Sequence, residues 1–260
     1  MDIQIVAEID ARLAGVSIEN SVSIPWAIES GSRAWGFPSP DSDYDCRFIY
    51  LRTRDSYLSP WAGRDVIETP LDSIFDVNGW DLAKALRLMV KGNATVTEWL
   101  RSPIIYFGVE AFRDGMLELA ATVHDRSLAG RHYLHVGQQQ LDKHRDDVSF
   151  KRIFYALRPA VTLRWLRENP DSGVPPMDLQ TLVDEVDVAN AFTEQVAELV
   201  ALKALTREMG AGAVPTSLLS FITKELELAT ERYEAAELVP RAESIKKCDA
   251  FFLRALDEFG

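Results

Sequence analysis

The hydrophobic pattern of this chain changes near residue 110, and no other feature of the sequence constrains the fold as strongly. Before residue 110, short apolar or alternating segments are bounded by Gly, Pro, Ser and Asp, a pattern typical of β-strands. Beyond it, apolar residues recur at helical spacing almost to the end of the chain. Strands followed by helices predict an α+β protein, with a small mixed β-sheet in residues 1–110 and a helical bundle in residues 111–260.

The first part divides into separate elements at Gly and Pro residues. The spacing of Ile5, Val6, Ile9 and Leu13 predicts an amphipathic helix over residues 2–15. Four strands are predicted over residues 23–30, 44–51, 65–69 and 73–77, and a second helix through residues 82–89 ends at Gly92.

Composition argues against several classes of protein. Of the 260 residues, 47% are hydrophobic, yet no window approaches the roughly 20 consecutive apolar residues of a membrane span. The formal net charge of −12 argues against a broad, non-specific nucleic-acid-binding surface. The two cysteines are far apart in sequence, and the first residues lack the features of a secretory signal. We therefore expect a cytoplasmic protein without a membrane partner.

The residues with the clearest chemical signal lie between positions 29 and 81. Gly31 and Ser32 follow a predicted buried strand, where small residues let a phosphate approach backbone N–H groups. Asp43 and Asp45 are two positions apart where the next strand begins, so both carboxylates can point to one region. Two carboxylates so close repel each other unless a cation neutralises them, and oxygen ligands suit Mg²⁺. Because Mg²⁺ commonly bridges carboxylates and substrate phosphates, this combination predicts a metal–nucleoside triphosphate site.

Residues 31–36 (Gly-Ser-Arg-Ala-Trp-Gly) and 42–45 (Ser-Asp-Tyr-Asp) resemble the signature of the DNA polymerase β nucleotidyltransferase superfamily. Three further runs, at residues 76–86, 98–106 and 152–159, are similar to its bacterial and phage branch of RNA-ligase-associated nucleotidyltransferases. The resemblance implies that residues 1–110 form a palm-like catalytic core. It also implies three carboxylates that bind two divalent metals, Mg²⁺ or Mn²⁺.

The resemblance assigns roles to individual residues. Gly31 and Ser32, with Arg33 beside them, would bind the triphosphate, and Asp43 and Asp45 would be catalytic metal ligands.

The third catalytic carboxylate, also a metal ligand, would help to activate the attacking hydroxyl. We expect Asp76 in this role, because it lies on the strand that leads into the next helix, with Glu68 as the alternative. Asp81 is expected at the start of that helix, where an acid suits the positive end of the helix dipole.

A second candidate site lies in the basic segment at residues 143–167, which holds seven Lys or Arg against two Asp. On one helix, Lys151, Tyr155 and Arg158 share a face that could bind the nucleotide or the phosphates of the acceptor, with Tyr155 stacking on a base. The alternative is an ordinary surface helix with solvated basic side chains. Arg33 and Arg47 are lesser candidates for pairing with phosphate or carboxylate. The tryptophans at positions 35, 80 and 99 are expected in the core rather than as platforms for bases.

Three functions remain open from the sequence. The first is transfer of a nucleoside monophosphate from a nucleoside triphosphate to a hydroxyl, with the 3′ end of an RNA favoured. The second changes the acceptor to a protein or a small molecule, which the acidic net charge slightly favours. The third is a module that binds a nucleotide without turnover, and the converging carboxylates argue against it. The oligomeric state is not predicted.

Overall fold

The protein is described by a computed structural model over residues 2–61, 63–70, 72, 74–123, 125–142, 150–205, 214–234 and 241–260, without the side chains of residues 150–152. It has an α+β fold, as predicted. In chain order the elements are α1 (Ile3–Asn20), β1 (Val22–Glu29), α2 (Gly31–Ala34), β2 (Tyr44–Arg52), α3 (Arg54–Leu58), β3 (Val66–Glu68), β4 (Phe75–Asp81), α4 (Leu82–Val90), α5 (Thr95–Leu100), β5 (Ile105–Gly108), α6 (Glu110–Val123), α7 (Arg126–Asp142), α8 (Phe150–Glu168), α9 (Leu179–Asp184), α10 (Asn190–Leu205), α11 (Thr216–Tyr233) and α12 (Ala242–Phe259).

The sheet is mixed, with the strand order β3-β4-β2-β1-β5. Strands β2 and β4 are parallel, whereas β1 pairs with β2 and β5, and β3 with β4, in antiparallel fashion. The parallel register places Asp45 of β2 directly beside Asp76 of β4. A parallel pair needs a crossover connection, which α3 and β3 provide here. Two residues that are far apart in sequence thus lie at the same end of neighbouring strands.

The two faces of the sheet pack against different helices, because alternate residues of a strand point to opposite faces. On one face, α1 contributes Ile9 and Leu13 to a core with Phe48 and Tyr50 of β2. On the other face, the alternate β2 residues Ile49 and Leu51 share a core with helices α4, α5, α6 and α12. Asp45 and Arg47 lie on the same face of β2 as Ile49 and Leu51, nearer to the start of the strand. The candidate site lies at this polar end of β2.

Helices α7 to α11 form a third hydrophobic core. Phe37, from the loop between α2 and β2, is fully buried in that core and stacks on Phe154 of α8 at a centroid distance of 4.8 Å. The bundle is therefore packed against the loop that precedes Asp43. The domain boundary at residue 110 stays a prediction; α6 and α12, which follow it in the chain, share a core with the sheet.

The predicted elements of the first part are present, but some bounds differ and several short elements were not predicted. Strand β4 continues to Asp81, beyond the predicted end at residue 77, and the short helices α2, α3 and α5 were not predicted. Helix α1 continues to Asn20, beyond the predicted end at Gly15. Strand β5 was not predicted, because it has four residues and only Tyr106 among them is not exposed. Asp81 is the N-cap of α4, as predicted, and its Oδ1 accepts a hydrogen bond of 2.8 Å from the N–H of Ala83. Within the described ranges, no helix combines the length and the apolar character needed to span a bilayer.

We predict that Gly79→Ala destabilises the protein. Gly79 faces Phe48 across β4 and β2, and a methyl group there would overlap the Phe48 ring. Overpacking of a well-packed core costs about 1–3 kcal/mol, which chemical denaturation would detect as a lower free energy of unfolding. Gly15→Ala is the matched control, because nothing lies within 4 Å of its new methyl group. This helical substitution should raise the free energy of unfolding by about 0.5–1 kcal/mol. Equal effects of both substitutions would contradict the packing described here.

Candidate active site

The candidate site is a cavity of about 290 Å³ where the end of β1, the start of β2 and helix α8 meet. It contains most of the residues predicted from the sequence, although they come from three separate segments. The lining residues are Ser30, Gly31, Ser32, Trp35, Asp41, Ser42, Asp43, Asp45, Arg47 and Tyr155.

The close approach of Gly31 to Asp45 shapes this cavity. Gly31 has a φ of +60°, which favours glycine, and a Cβ at this position would overlap Oδ2 of Asp45. The N–H of Ser30 donates a 2.8 Å hydrogen bond to the backbone carbonyl of Asp45. Only glycine therefore fits between the end of β1 and the carboxylate.

The loop that presents Asp43 is fixed by Ser32 and Arg33. The Ser32 hydroxyl donates to Ser42 Oγ at 3.0 Å. Arg33 donates from Nε to the carbonyl of Asp43 at 3.1 Å and from Nη2 to that of Ser42 at 2.6 Å, while its guanidinium lies over the Tyr44 ring. These contacts give Arg33 a positioning role in the loop, and its predicted contact with the nucleotide stays a prediction.

Arg47 lies between Asp45 and Asp76. Its Nη2 donates to Asp45 Oδ1 at 3.0 Å and to Asp76 Oδ2 at 2.6 Å, and its Nη1 donates to the Asp76 carbonyl at 2.7 Å. Burial raises the pKa of Asp45; Arg47 opposes this shift, whereas the charges of Asp76 and Asp43 add to it. The charges of Asp43 and Asp76 thus act on Asp45, and Arg47 partly neutralises Asp45 and Asp76.

The alternative third carboxylate, Glu68, is placed differently. Glu68 lies on the edge strand β3, its side chain is 52% exposed, and it pairs with Arg64. Asp76 is beside Asp45 in the parallel register and shares Arg47 with it. This geometry favours Asp76 over Glu68.

Glu29 is a residue that sequence reasoning missed. It is fully buried at the end of β1, where Oε1 accepts a 3.1 Å hydrogen bond from the N–H of Asp45 and Oε2 accepts one from the Tyr106 hydroxyl. Burial raises its pKa to about 7, and these two hydrogen bonds oppose the shift. A glutamate that ends an apolar strand next to a Gly-Ser turn was the available signal in the sequence.

The residues of the predicted basic face of α8 do not all lie at the same site. Tyr155 lines the cavity, and burial, then the charges of Asp45 and Asp43, raise its pKa. The side chain of Lys151 lies outside the described residues. Arg158 is only 5% exposed, and it donates to Glu98 Oε1 at 2.7 Å and to the Met177 carbonyl at 2.8 Å. The structure therefore does not bring Arg158 into the cavity of Gly31 and Asp45.

Two further arginines of α8 are also paired within the protein. Arg164 and Arg167 both donate to Glu225, a buried residue of α11. The positive charge counted in the sequence is thus partly neutralised by glutamates from distant segments. In the part of α8 whose side chains are described, these arginines do not form the free positive surface that the charge count predicted.

The carboxylates of the site offer oxygen ligands to a divalent cation. The described residues hold no group of three or more His, Cys, Asp or Glu that could bind a metal by themselves. Mg²⁺, however, is usually bound through one or two carboxylates together with substrate phosphates. Burial, and after it the charges of Asp76 and Asp43, raise the pKa of Asp45. A bound cation would relieve the repulsion between these carboxylates. Asp43 and Asp45 therefore fit a cation that is shared with a phosphate.

A small mixed sheet with a Gly-Ser turn packed against an Asp-x-Asp pair defines a protein of the DNA polymerase β class. Residues 5–254 match the family described as the RNA repair pathway DNA polymerase beta family, and the chain belongs to that family. The chain is also 34% identical over 212 residues to a Bacillus subtilis (strain 168) protein named "Uncharacterized protein YcgL", with 81% of each chain covered.

We predict that Glu29→Gln changes how stability depends on pH. The pKa of Glu29 is raised on folding from 4.5 to about 7, so its contribution to stability is full below pH 4.5 and is lost as the pH rises through 7. Glutamine keeps an acceptor for the N–H of Asp45 but does not ionise. In metal-free buffer, the free energy of unfolding of the variant relative to the wild type should rise by about 3 kcal/mol between pH 4.5 and pH 8.

Denaturation of both proteins across this pH range measures the difference. Glu68→Gln removes an exposed carboxyl of the same size and controls for the loss of charge. A difference between Glu29→Gln and the wild type that stays constant with pH would contradict the burial of an ionisable Glu29.

Proposed function

We propose that the protein is a metal-dependent nucleotidyltransferase that transfers a nucleoside monophosphate from a nucleoside triphosphate to a hydroxyl. The observation that carries this proposal is the contact of the Gly31-Ser32 turn with Asp45, in one cavity with Asp43. Membership of a DNA polymerase β family supports the same reaction. A site built only to bind a nucleotide has no need for several carboxylates that repel one another.

Five residues of the cavity have a role in this proposal. Gly31 and Ser32 bind the triphosphate, because their small side chains let it approach the backbone. Asp43 and Asp45 hold Mg²⁺ or Mn²⁺, which when bound would neutralise charge on the phosphates and on the departing pyrophosphate. Arg47 balances the charge of Asp45 and Asp76 before the nucleotide arrives.

The reaction is an in-line displacement at the α-phosphorus. The attacking hydroxyl oxygen forms a bond to this phosphorus, while the bond to the bridging oxygen of pyrophosphate breaks and pyrophosphate leaves with that electron pair. The proton of the hydroxyl moves toward the carboxylate of Asp76. Asp76 is suited to this role because it lies beside Asp45, at the same end of the sheet. Glu29, by accepting from the N–H of Asp45, positions β2 for this chemistry.

For the acceptor, we propose the 3′-hydroxyl of an RNA. The description of the family as part of an RNA repair pathway supports this choice. A protein or a small molecule is the alternative, and it is favoured by the net charge of −12 and by the internal pairing of Arg158, Arg164 and Arg167.

We predict that the acceptor can be identified by the position of a transferred label. The protein is incubated with Mg²⁺ or Mn²⁺, each α-labelled nucleoside triphosphate, and either RNA or protein extract. We expect the label on RNA that has a free 3′-hydroxyl, and none on the same RNA after periodate oxidation of its 3′ end. If the label appears on protein instead, the acceptor is a protein and not RNA. No label on any acceptor, with nucleotide still bound, would indicate a binding module.

We predict that transfer depends on Asp43 and Asp45. Asp43→Asn or Asp45→Asn keeps the shape of the side chain but removes a charged ligand, so the transfer rate should fall at least about a hundredfold. Circular dichroism should show an unchanged fold. If Asp43→Asn retained nearly full activity, the proposed metal site would be wrong.

The third carboxylate is tested by comparing two variants. Asp76→Asn should lower kcat by about a hundredfold with nucleotide binding largely preserved, because its role is in activation of the hydroxyl. Glu68→Gln, at the exposed edge strand, should change kcat by less than about twofold, as expected for a surface position. The reverse order of effects would assign the role to Glu68. Single-turnover rates and nucleotide affinity, measured separately, distinguish these outcomes.

A further inference from the structure

A second cavity, of about 180 Å³, lies next to the candidate active site. The two cavities share Trp35 and Tyr155, whose rings meet edge to face with centroids 5.9 Å apart. Trp80 and Trp99 pack together in the sheet core, as predicted, but Trp35 lies at the boundary between the two cavities. A molecule bound across this boundary could keep one end at Ser32 and reach the second cavity with the other.

The second cavity contains a buried carboxylate, Glu98 of α5, which is 8% exposed. Its Oε1 accepts from both the Tyr133 hydroxyl at 2.8 Å and Arg158 Nη2 at 2.7 Å. Among the described residues, no donor is bonded to Oε2, and the Glu98 side chain, 10% exposed, lines the cavity. One oxygen of a fixed, buried carboxylate is therefore available to accept a hydrogen bond from a ligand.

Charge limits which ligands the cavity can hold. Arg158 is already neutralised by Glu98, so it does not offer a free positive charge to a phosphate. Burial lowers the pKa of His132, another lining residue, and so favours its neutral form. A phosphate would also meet the open oxygen of Glu98. The cavity therefore suits a neutral ligand that can donate a hydrogen bond.

The shape of the lining points to a flat ligand. Trp35, Phe154, Tyr155 and Pro159 provide ring surfaces around Glu98. In the part of the chain that the structure describes, the indole N–H of Trp35 is buried without a partner. Nucleobases combine flat faces with N–H donors on their edges, and aromatic side chains commonly stack on them. An amino group at C6 of adenine or C4 of cytosine is such a donor, whereas a carbonyl oxygen is an acceptor.

We propose that this cavity binds the base of the nucleoside triphosphate, and that Glu98 Oε2 accepts a hydrogen bond from the amino group at C6 of adenine or C4 of cytosine. The proposal rests on the proposed nucleotidyltransferase function, and it makes adenine or cytosine the preferred base. Arg158 then acts as a positioning residue, because its bond to Oε1 fixes the carboxylate and leaves Oε2 toward the cavity. In this proposal Arg158 does not contact the triphosphate directly, in contrast to the prediction from the sequence.

The test compares nucleotides that differ at this amino group. With Mg²⁺ and no acceptor, ATP should bind at least about tenfold more tightly than ITP, and CTP more tightly than UTP, because a carbonyl oxygen in place of the amino group would face a carboxylate. Both pairs keep the ring size and the triphosphate constant. Isothermal titration calorimetry measures each affinity directly.

Glu98→Gln gives the sharper result. Tyr133 and Arg158 both donate to Oε1, so the glutamine must keep its carbonyl oxygen there and turn its NH₂ group toward the cavity. The preference should then reverse, with ITP bound more tightly than ATP and UTP more tightly than CTP. General destabilisation of the fold would weaken the binding of all four nucleotides without reversing the order of their affinities.

Glu225→Gln is the matched control. It changes another buried glutamate that bonds two arginines, but within the helical core of α8 and α11, so the ratio of ATP to ITP affinity should stay at the wild-type value. Equal affinity of the wild type for ATP and ITP, or an unchanged ratio in Glu98→Gln, would overturn the base assignment. If all four nucleotides bound equally and their binding required Asp43, the base assignment would be wrong but the proposed nucleotidyltransferase function would stand. If no nucleotide bound, the base assignment and the proposed function would both be wrong.

Discussion

The contact between Gly31 and Asp45 is the constraint on which the rest of the site depends. It leaves no room for a side chain at residue 31, and the N–H of Ser30 is bonded to the carbonyl of Asp45. The antiparallel pairing of β1 with β2 brings these two segments together, and Ser32 and Arg33 then fix the loop that carries Asp43. An open cavity beside a carboxylate pair is the direct consequence of this packing.

The second requirement is to balance the negative charge that this packing concentrates. Arg47 bridges Asp45 and Asp76, and the carboxyl of Glu29 accepts one hydrogen bond from the N–H of Asp45 and another from the Tyr106 hydroxyl. The same principle operates further from the site, where Arg158 pairs with Glu98. Buried charges of this kind are tolerated only when they are paired and hydrogen-bonded, so each of them limits what a neighbouring cavity can bind.

The sequence predicted the parts of this arrangement that depend on local spacing. The turn at Gly31 and the pair Asp43 and Asp45 are close in the chain, and the strands around them have clear apolar patterns, so the candidate site could be located. Strand β5 was missed because a short, largely exposed edge strand lacks such a pattern. The pairing of Arg158 with Glu98 joins residues 60 positions apart and depends on how α5 packs near α8. A count of charges along the chain cannot distinguish a paired arginine from a free one.

The proposed function requires Asp43 and Asp45 to hold a divalent metal against a triphosphate that lies on the Gly31-Ser32 turn. An anomalous-difference map of crystals grown with Mn²⁺ and a non-hydrolysable nucleoside triphosphate would locate both. We expect a Mn²⁺ peak in contact with carboxylate oxygens of Asp43 and Asp45, with triphosphate density beside residues 31 and 32. Triphosphate and Mn²⁺ bound elsewhere on the protein, with these two carboxylates unoccupied, would contradict the proposed function.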